Sequence, residues 1–73
     1  MKDRKKFRYF VPVLPNYWQA AKYIRMDSEN TYWYCDNYGV EHFDNYYYRT
    51  YLPSDLKQKR IREIEKAELV FLL

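Results

Sequence analysis

Apolar residues fall in short runs punctuated by Pro12, Pro15, Gly39 and Pro53, and the pattern predicts five short strands followed by one helix. Residues 6–14 place Phe7, Tyr9, Val11 and Val13 on one face, while Pro12, lacking an amide hydrogen, argues for an edge strand or a bulge. Pro15 and Asn16 form a turn. Residues 17–26 read two ways. Tyr17, Ala20, Ala21 and Ile24 have helical spacing, with Asn16 and Gln19 resembling a capping box; as a strand, Trp18, Ala20, Ile24 and Met26 share a face. The polar stretch Asp27, Ser28, Glu29, Asn30 is a hairpin loop, and hairpins join strands, which favours the strand.

Residues 31–36 are β-branched, aromatic or Cys as far as Cys35, which suits a sheet better than a helix. The alternation is read with Trp33 and Cys35 inward and Tyr32 and Tyr34 outward. Asn37, Tyr38 and Gly39 turn the chain, the glycine being free to take positive φ. Residues 40–43 return as a fourth strand, and residues 46–52 make the fifth after Asp44 and Asn45. Pro53 then ends that strand and Ser54 caps a helix over residues 54–69. Asp55 sits in its first turn and pairs with Lys59, and Leu56, Ile61, Ile64, Ala67 and Phe71 form its apolar stripe. The fold class expected is α+β, mainly β with one C-terminal α-helix, as a small five-stranded barrel or a strongly bent antiparallel sheet. A basic tail occupies residues 1–5, and a single domain residues 6–73.

Composition turns this outline toward recognition. Ten of the 73 residues are tyrosine, nine of them between Tyr17 and Tyr51 with both tryptophans, against one glycine. Tyr and Trp supply stiff contact area with a polar tip and are enriched at binding surfaces. Three consecutive tyrosines in a strand must send at least one outward. A partner-binding surface is therefore expected from Tyr32, Tyr34, Tyr38, Tyr46, Tyr47 and Tyr48, flanked by Arg25 and Arg49, with Trp33 left to the core.

The net charge is +3, carried by the N-terminus: residues 1–8 hold five basic residues against one acidic, whereas residues 9–53 hold three against five. Lys5, Lys6 and Arg8 can contact phosphates, but the acidic middle opposes an electrostatic groove. Cys35 stands alone, so no internal disulfide forms and a reducing, cytoplasmic setting is expected. No apolar stretch approaches the ~18 residues that cross a bilayer, and no apolar region follows the basic start as in a signal peptide.

Catalytic groups are sparse. His42 is the only histidine, and a Cys35–His42 pair fails if Cys35 faces inward. Asp36, Glu41 and Asp44 cluster at a turn without calcium-loop spacing, and one glycine cannot build a phosphate loop. No enzyme, cofactor or metal is expected. The apolar run Leu69, Val70, Phe71, Leu72 and Leu73 must be covered, by the fold or in a homodimer.

Trp18, Ala20 and Ala21 in a Trp-x-Ala-Ala opening, then Asp27, Asp36-Asn37-Tyr38-Gly39, Glu41 and Leu52-Pro53, resemble a Tudor domain of the SH3-like barrel superfamily over residues 17–53. The resemblance implies a bent five-stranded antiparallel barrel. It also implies an aromatic cage for methylated arginine or lysine, with Trp18, Tyr34 and Tyr38 at cage positions, or Cys35 with a one-residue shift. Val40 stands where the family often has the Asn that holds a guanidinium. The leading expectation is a non-catalytic adaptor or inhibitor that docks on a larger protein, a type common among phage-borne or bacterial accessory proteins. Nucleic-acid binding through stacked tyrosines is the alternative, and a methyl reader follows.

Overall fold

Five antiparallel strands form one sheet, in the order β4-β3-β2-β1-β5, with a C-terminal helix packed on it. The computed structural model describes residues 6–13 and 21–72, of Leu72 the backbone alone. The strands are β1 (Arg8–Pro12), β2 (Tyr23–Met26), β3 (Tyr32–Cys35), β4 (Glu41–Asp44) and β5 (Ile61–Ile64). The helices are α1 (Tyr47–Lys57) and α2 (Lys66–Leu72). The fold is α+β, as the pattern implies, although several elements lie elsewhere than expected.

β1 is no edge strand; it sits between β2 and β5. Its odd residues bond toward β5, since Val13 donates to the Arg60 carbonyl at 2.8 Å, and its even residues turn toward β2. β2 begins only at Tyr23, so the missing amide hydrogen of Pro12 falls beyond the ladder and costs nothing there. Of the ambiguous residues 17–26, Tyr23–Met26 are strand, Ala21 is buried, and 17–20 lie outside the described residues.

Residues 46–52, expected as a strand, begin a helix. The Asp44 carboxylate ends β4 by accepting the Arg49 amide at 3.0 Å, and α1 lays Tyr48, Leu52 and Leu56 on the sheet at four-residue spacing. Burial of that stripe overrides the β-propensity of three tyrosines and holds Pro53 inside the helix.

The helix expected over 54–69 is interrupted. Lys59 adopts φ 62° after the last turn and donates to the Leu56 carbonyl at 3.1 Å, which stops α1. Asp55 is buried and accepts the Arg60 guanidinium at 3.0 Å, rather than pairing with Lys59. Ile61 and Ile64, read as a helical pair, are the two ends of β5 and are buried on opposite faces.

The main core lies between α1 and one sheet face: Phe10, Ala21, Ile24, Met26, Tyr32, Tyr48, Leu52 and Ile61. Inside and outside are thus exchanged on β3. Tyr32 is buried and Tyr34 half-buried under α1, while Trp33 looks out from the opposite face. On that opposite face α2 covers one end, where Leu69 packs on Val11 and Ile64. Leu69 is therefore used within the fold, whereas Val70 and Phe71 are exposed.

Candidate recognition surface

The sheet face turned away from α1 carries a row of large side chains that crosses all five strands. The registers Ile64↔Tyr9, Tyr9↔Arg25, Arg25↔Trp33 and Trp33↔Phe43 set it, because paired residues share a face. Phe7, just before β1, closes over this row: its ring lies 5.9 Å from Trp33, edge-on, and 6.3 Å from Tyr9. Trp33 in turn meets Phe43 edge-on at 6.3 Å. Phe7, Tyr9, Tyr23, Arg25 and Trp33 are half-buried, and Phe43 is 60% exposed.

Arg25 stacks over two rings that stand edge-on to each other. Its guanidinium carbon is 4.4 Å from the Phe7 centroid and 4.2 Å from that of Trp33. Its Nε and Nη2 donate to the two Glu41 oxygens at 2.8 and 2.9 Å, and the Tyr23 hydroxyl donates to Glu41 Oε2 at 2.6 Å. The Arg25 fork holds the Glu41 carboxyl below its usual range, and the same bond raises Arg25. Burial, then Glu41, pushes the Tyr23 phenol up. Charge on this face is neutralised within it, leaving stiff rings as the contact surface.

Arg25 thus belongs to the outer surface as expected, but its ring partners are Phe7 and Trp33 rather than tyrosines of β3. Tyr32 and Tyr48, expected outward, are buried in the core and closed to a partner. Tyr34 is half-buried, stacked on His42 at 5.0 Å and against Tyr48 at 5.3 Å. Tyr47 packs against Tyr48 at 5.0 Å and Tyr51 at 4.8 Å, while exposed Tyr46 meets Tyr51 at 6.5 Å. These rings form a second cluster around the start of α1, where Arg49 is exposed. Tyr38, 91% exposed on the β3–β4 turn, stands apart. Of the cage positions, Tyr34 therefore lies under α1 and Tyr38 at the turn, and Trp18 lies outside the described residues.

Lys6 is exposed and, with Arg8, Met26, Asp27, Ser28 and Asn30, lines an open depression of about 400 Å³. Arg8 is forked onto Glu63 at 2.9 and 2.8 Å. Lys5 lies outside the described residues. Cys35 is buried, its thiol pushed up by that burial, and it sits on the Trp33 side of β3, away from His42. His42 pairs instead with Asp36 at 2.8 Å. Among the described residues no three of His, Cys, Asp or Glu gather to hold a metal, and no helix is long and apolar enough to cross a membrane.

Phe7, Tyr9, Tyr23, Trp33 and Phe43 were missed as surface residues. The signal was Arg25: a loop centred on Glu29 sets this mid-strand arginine opposite Trp33, and a charged side chain in mid-strand is solvated more readily on a face that no helix covers. No family model, curated protein or solved structure matches this chain.

Proposed function

We propose that this chain is a non-catalytic binding module, an adaptor or inhibitor, that docks on a larger protein through the aromatic row on its outer sheet face. The observation that carries the reading is the row of Phe7, Arg25, Trp33 and Phe43 on the side away from α1, half-buried as far as Trp33 and exposed at Phe43. Aromatic and arginine side chains held rigid by neighbours dominate binding energies, because little conformational entropy is lost on docking. Tyr38 on the β3–β4 turn and Tyr46 before α1 are further rings open to solvent, apart from this row. A Tudor-like barrel remains part of the proposal, with β2, β3 and β4 inside residues 17–53 and β1 and β5 outside that stretch. Arg25 already stacks on both Phe7 and Trp33, which favours protein docking over capture of a methylated cation. The lone buried thiol supports a cytoplasmic setting.

The test is affinity capture from the native host with the wild type and with a Trp33→Ala, Phe43→Ala double variant of unchanged thermal midpoint. The double variant should bind the captured protein at least ~30-fold more weakly. Equal capture would sink the proposal. Lys6 and Arg8 beside the open depression support a second reading, nucleic-acid binding. Oligonucleotide titration at two salt concentrations tests it, and a flat response at low salt removes it.

A further inference from the structure

The outer edge of β4 offers main-chain groups as well as rings. In the β3–β4 hairpin, Asp36 donates to the Val40 carbonyl at 2.9 Å, and this bond fixes the alternation along the ladder. His42 and Asp44 direct their backbone groups to Tyr34 and Tyr32, so the N–H and C=O of Glu41 and Phe43 point away from the sheet. β4 ends the strand order, and among the described residues no strand pairs with that side.

Edges are usually guarded by charge, and the two edges here differ. At β5, the side chains of Arg62 and Glu63 are tied to Glu68 at 2.7 Å and Arg8 at 2.8 Å, and both isoleucines are buried. Around β4, by contrast, Tyr38, Val40, Phe43 and Tyr46 are all exposed. The carboxylates there are already engaged: Asp36 by His42, Glu41 by Arg25, and Asp44 by the Arg49 amide. The edge therefore presents unpaired peptide groups and exposed apolar side chains.

We propose that β4 is the docking edge and that its occupant is an extended segment of the partner protein, apolar where it faces Val40 and Phe43, which adds to the sheet as a sixth strand. Peptide groups spaced two residues apart match a strand and no other backbone conformation. Exposed Val40 and Phe43 favour apolar residues at the facing positions, where a charged group would be desolvated against them. An apolar side chain opposite Phe43 continues the aromatic row from Trp33. This inference rests on the protein-docking reading and specifies how the partner is held.

The probe is a display library of random short linear peptides, selected on the whole protein. Expected are peptides of alternating apolar residues whose binding slows amide exchange at Glu41 and Phe43 at least about tenfold. His42 and Asp44, already paired with β3, should not change. Methylating alternate backbone nitrogens of the peptide should abolish binding. Phe43→Pro should do so too, since its missing amide hydrogen lies on the outward side and spares the ladder with β3. Peptides that perturb Trp33 and Tyr9 but leave the exchange of Glu41 and Phe43 unchanged would overturn the edge assignment while leaving the docking face standing. So would selection of no linear peptide when a folded partner is still captured. Protection of the same two amides by raising the protein concentration alone would assign the edge to a second copy of the chain instead.

Discussion

Arg25 faces Trp33 across the β2–β3 ladder, its guanidinium carbon 4.2 Å from the indole centroid, and the same guanidinium forks onto Glu41. One side chain thereby joins the aromatic row to the edge strand. Its side chain is only 20% exposed, so stacking and the charge-assisted bonds are partly desolvated. Arg25→Ala should lower stability by about 1–2 kcal/mol, and Arg25→Lys, which keeps the charge but loses the planar fork, should recover less than half of it. Urea midpoints measure both. A neutral Arg25→Ala would show that the stack contributes nothing to folding.

Acid should weaken the fold in a defined window. Glu41 and Glu63 are held below the ordinary 4.5 by the Arg25 and Arg8 side chains, and Asp36 below 3.8, first by His42 and then by the Val40 amide. These folded carboxyls refuse protons that the unfolded chain accepts, so stability is fully present above the ordinary values. It is lost as pH falls through the lowered folded ones. The urea midpoint should stay flat above pH ~5 and fall below it, with a shallower fall in Arg25→Ala. At the alkaline end the sign reverses. Burial raises the Tyr23 and Tyr48 phenols above the ordinary 10.0, so their contribution is complete below that value and lost as pH rises through the folded ones.

Tyrosines of identical chemistry should respond in opposite ways to truncation. Tyr48 is 5% exposed in the main core and Tyr38 is 91% exposed on a turn. Tyr48→Ala should cost about 3–5 kcal/mol, the range for emptying an aromatic site, and so consume much of the ~5–15 kcal/mol that holds a domain together. Tyr38→Ala should change stability by less than ~0.5 kcal/mol. Thermal unfolding of the pair decides it, and a similar loss in both would mean that Tyr48 does not fill the core between α1 and the sheet.

The strand ladder from β2 to β4 was legible, because loop chemistry at Asp27 and at Asn37, Tyr38 and Gly39 marks both turns and β-branched or aromatic residues fill the rungs between. Which face of that ladder meets the core was not. A period of two says that Tyr32 and Tyr34 share a side and that Trp33 takes the other; it says nothing of which side a helix will cover. That choice belongs to α1, and α1 was hidden by Pro53, which normally ends a helix rather than sitting inside one. Ile61 and Ile64 misled for a related reason. A spacing of three fits a helix stripe as well as a four-residue strand buried on both faces, and only the left-handed residue before them separates the two.

That left-handed residue supplies the last prediction. Lys59 holds φ 62° where α1 ends, and Gly39 holds φ 85° in the β3–β4 turn. The first position bears a side chain in a region that penalises Cβ by about 1–2 kcal/mol, and the second avoids the penalty by having none. Lys59→Gly should therefore stabilise the fold by about 0.5–1 kcal/mol, the gain being trimmed by the greater freedom of glycine in the unfolded chain. Gly39→Ala should destabilise it by about 1–2 kcal/mol through backbone strain alone, since a Cβ there would meet nothing within 4 Å. Urea midpoints moving in opposite directions would confirm that both turns are set by conformation. A destabilised Lys59→Gly would instead mean that the lysine side chain, and not the φ it adopts, terminates α1 and releases Ile61 into the sheet.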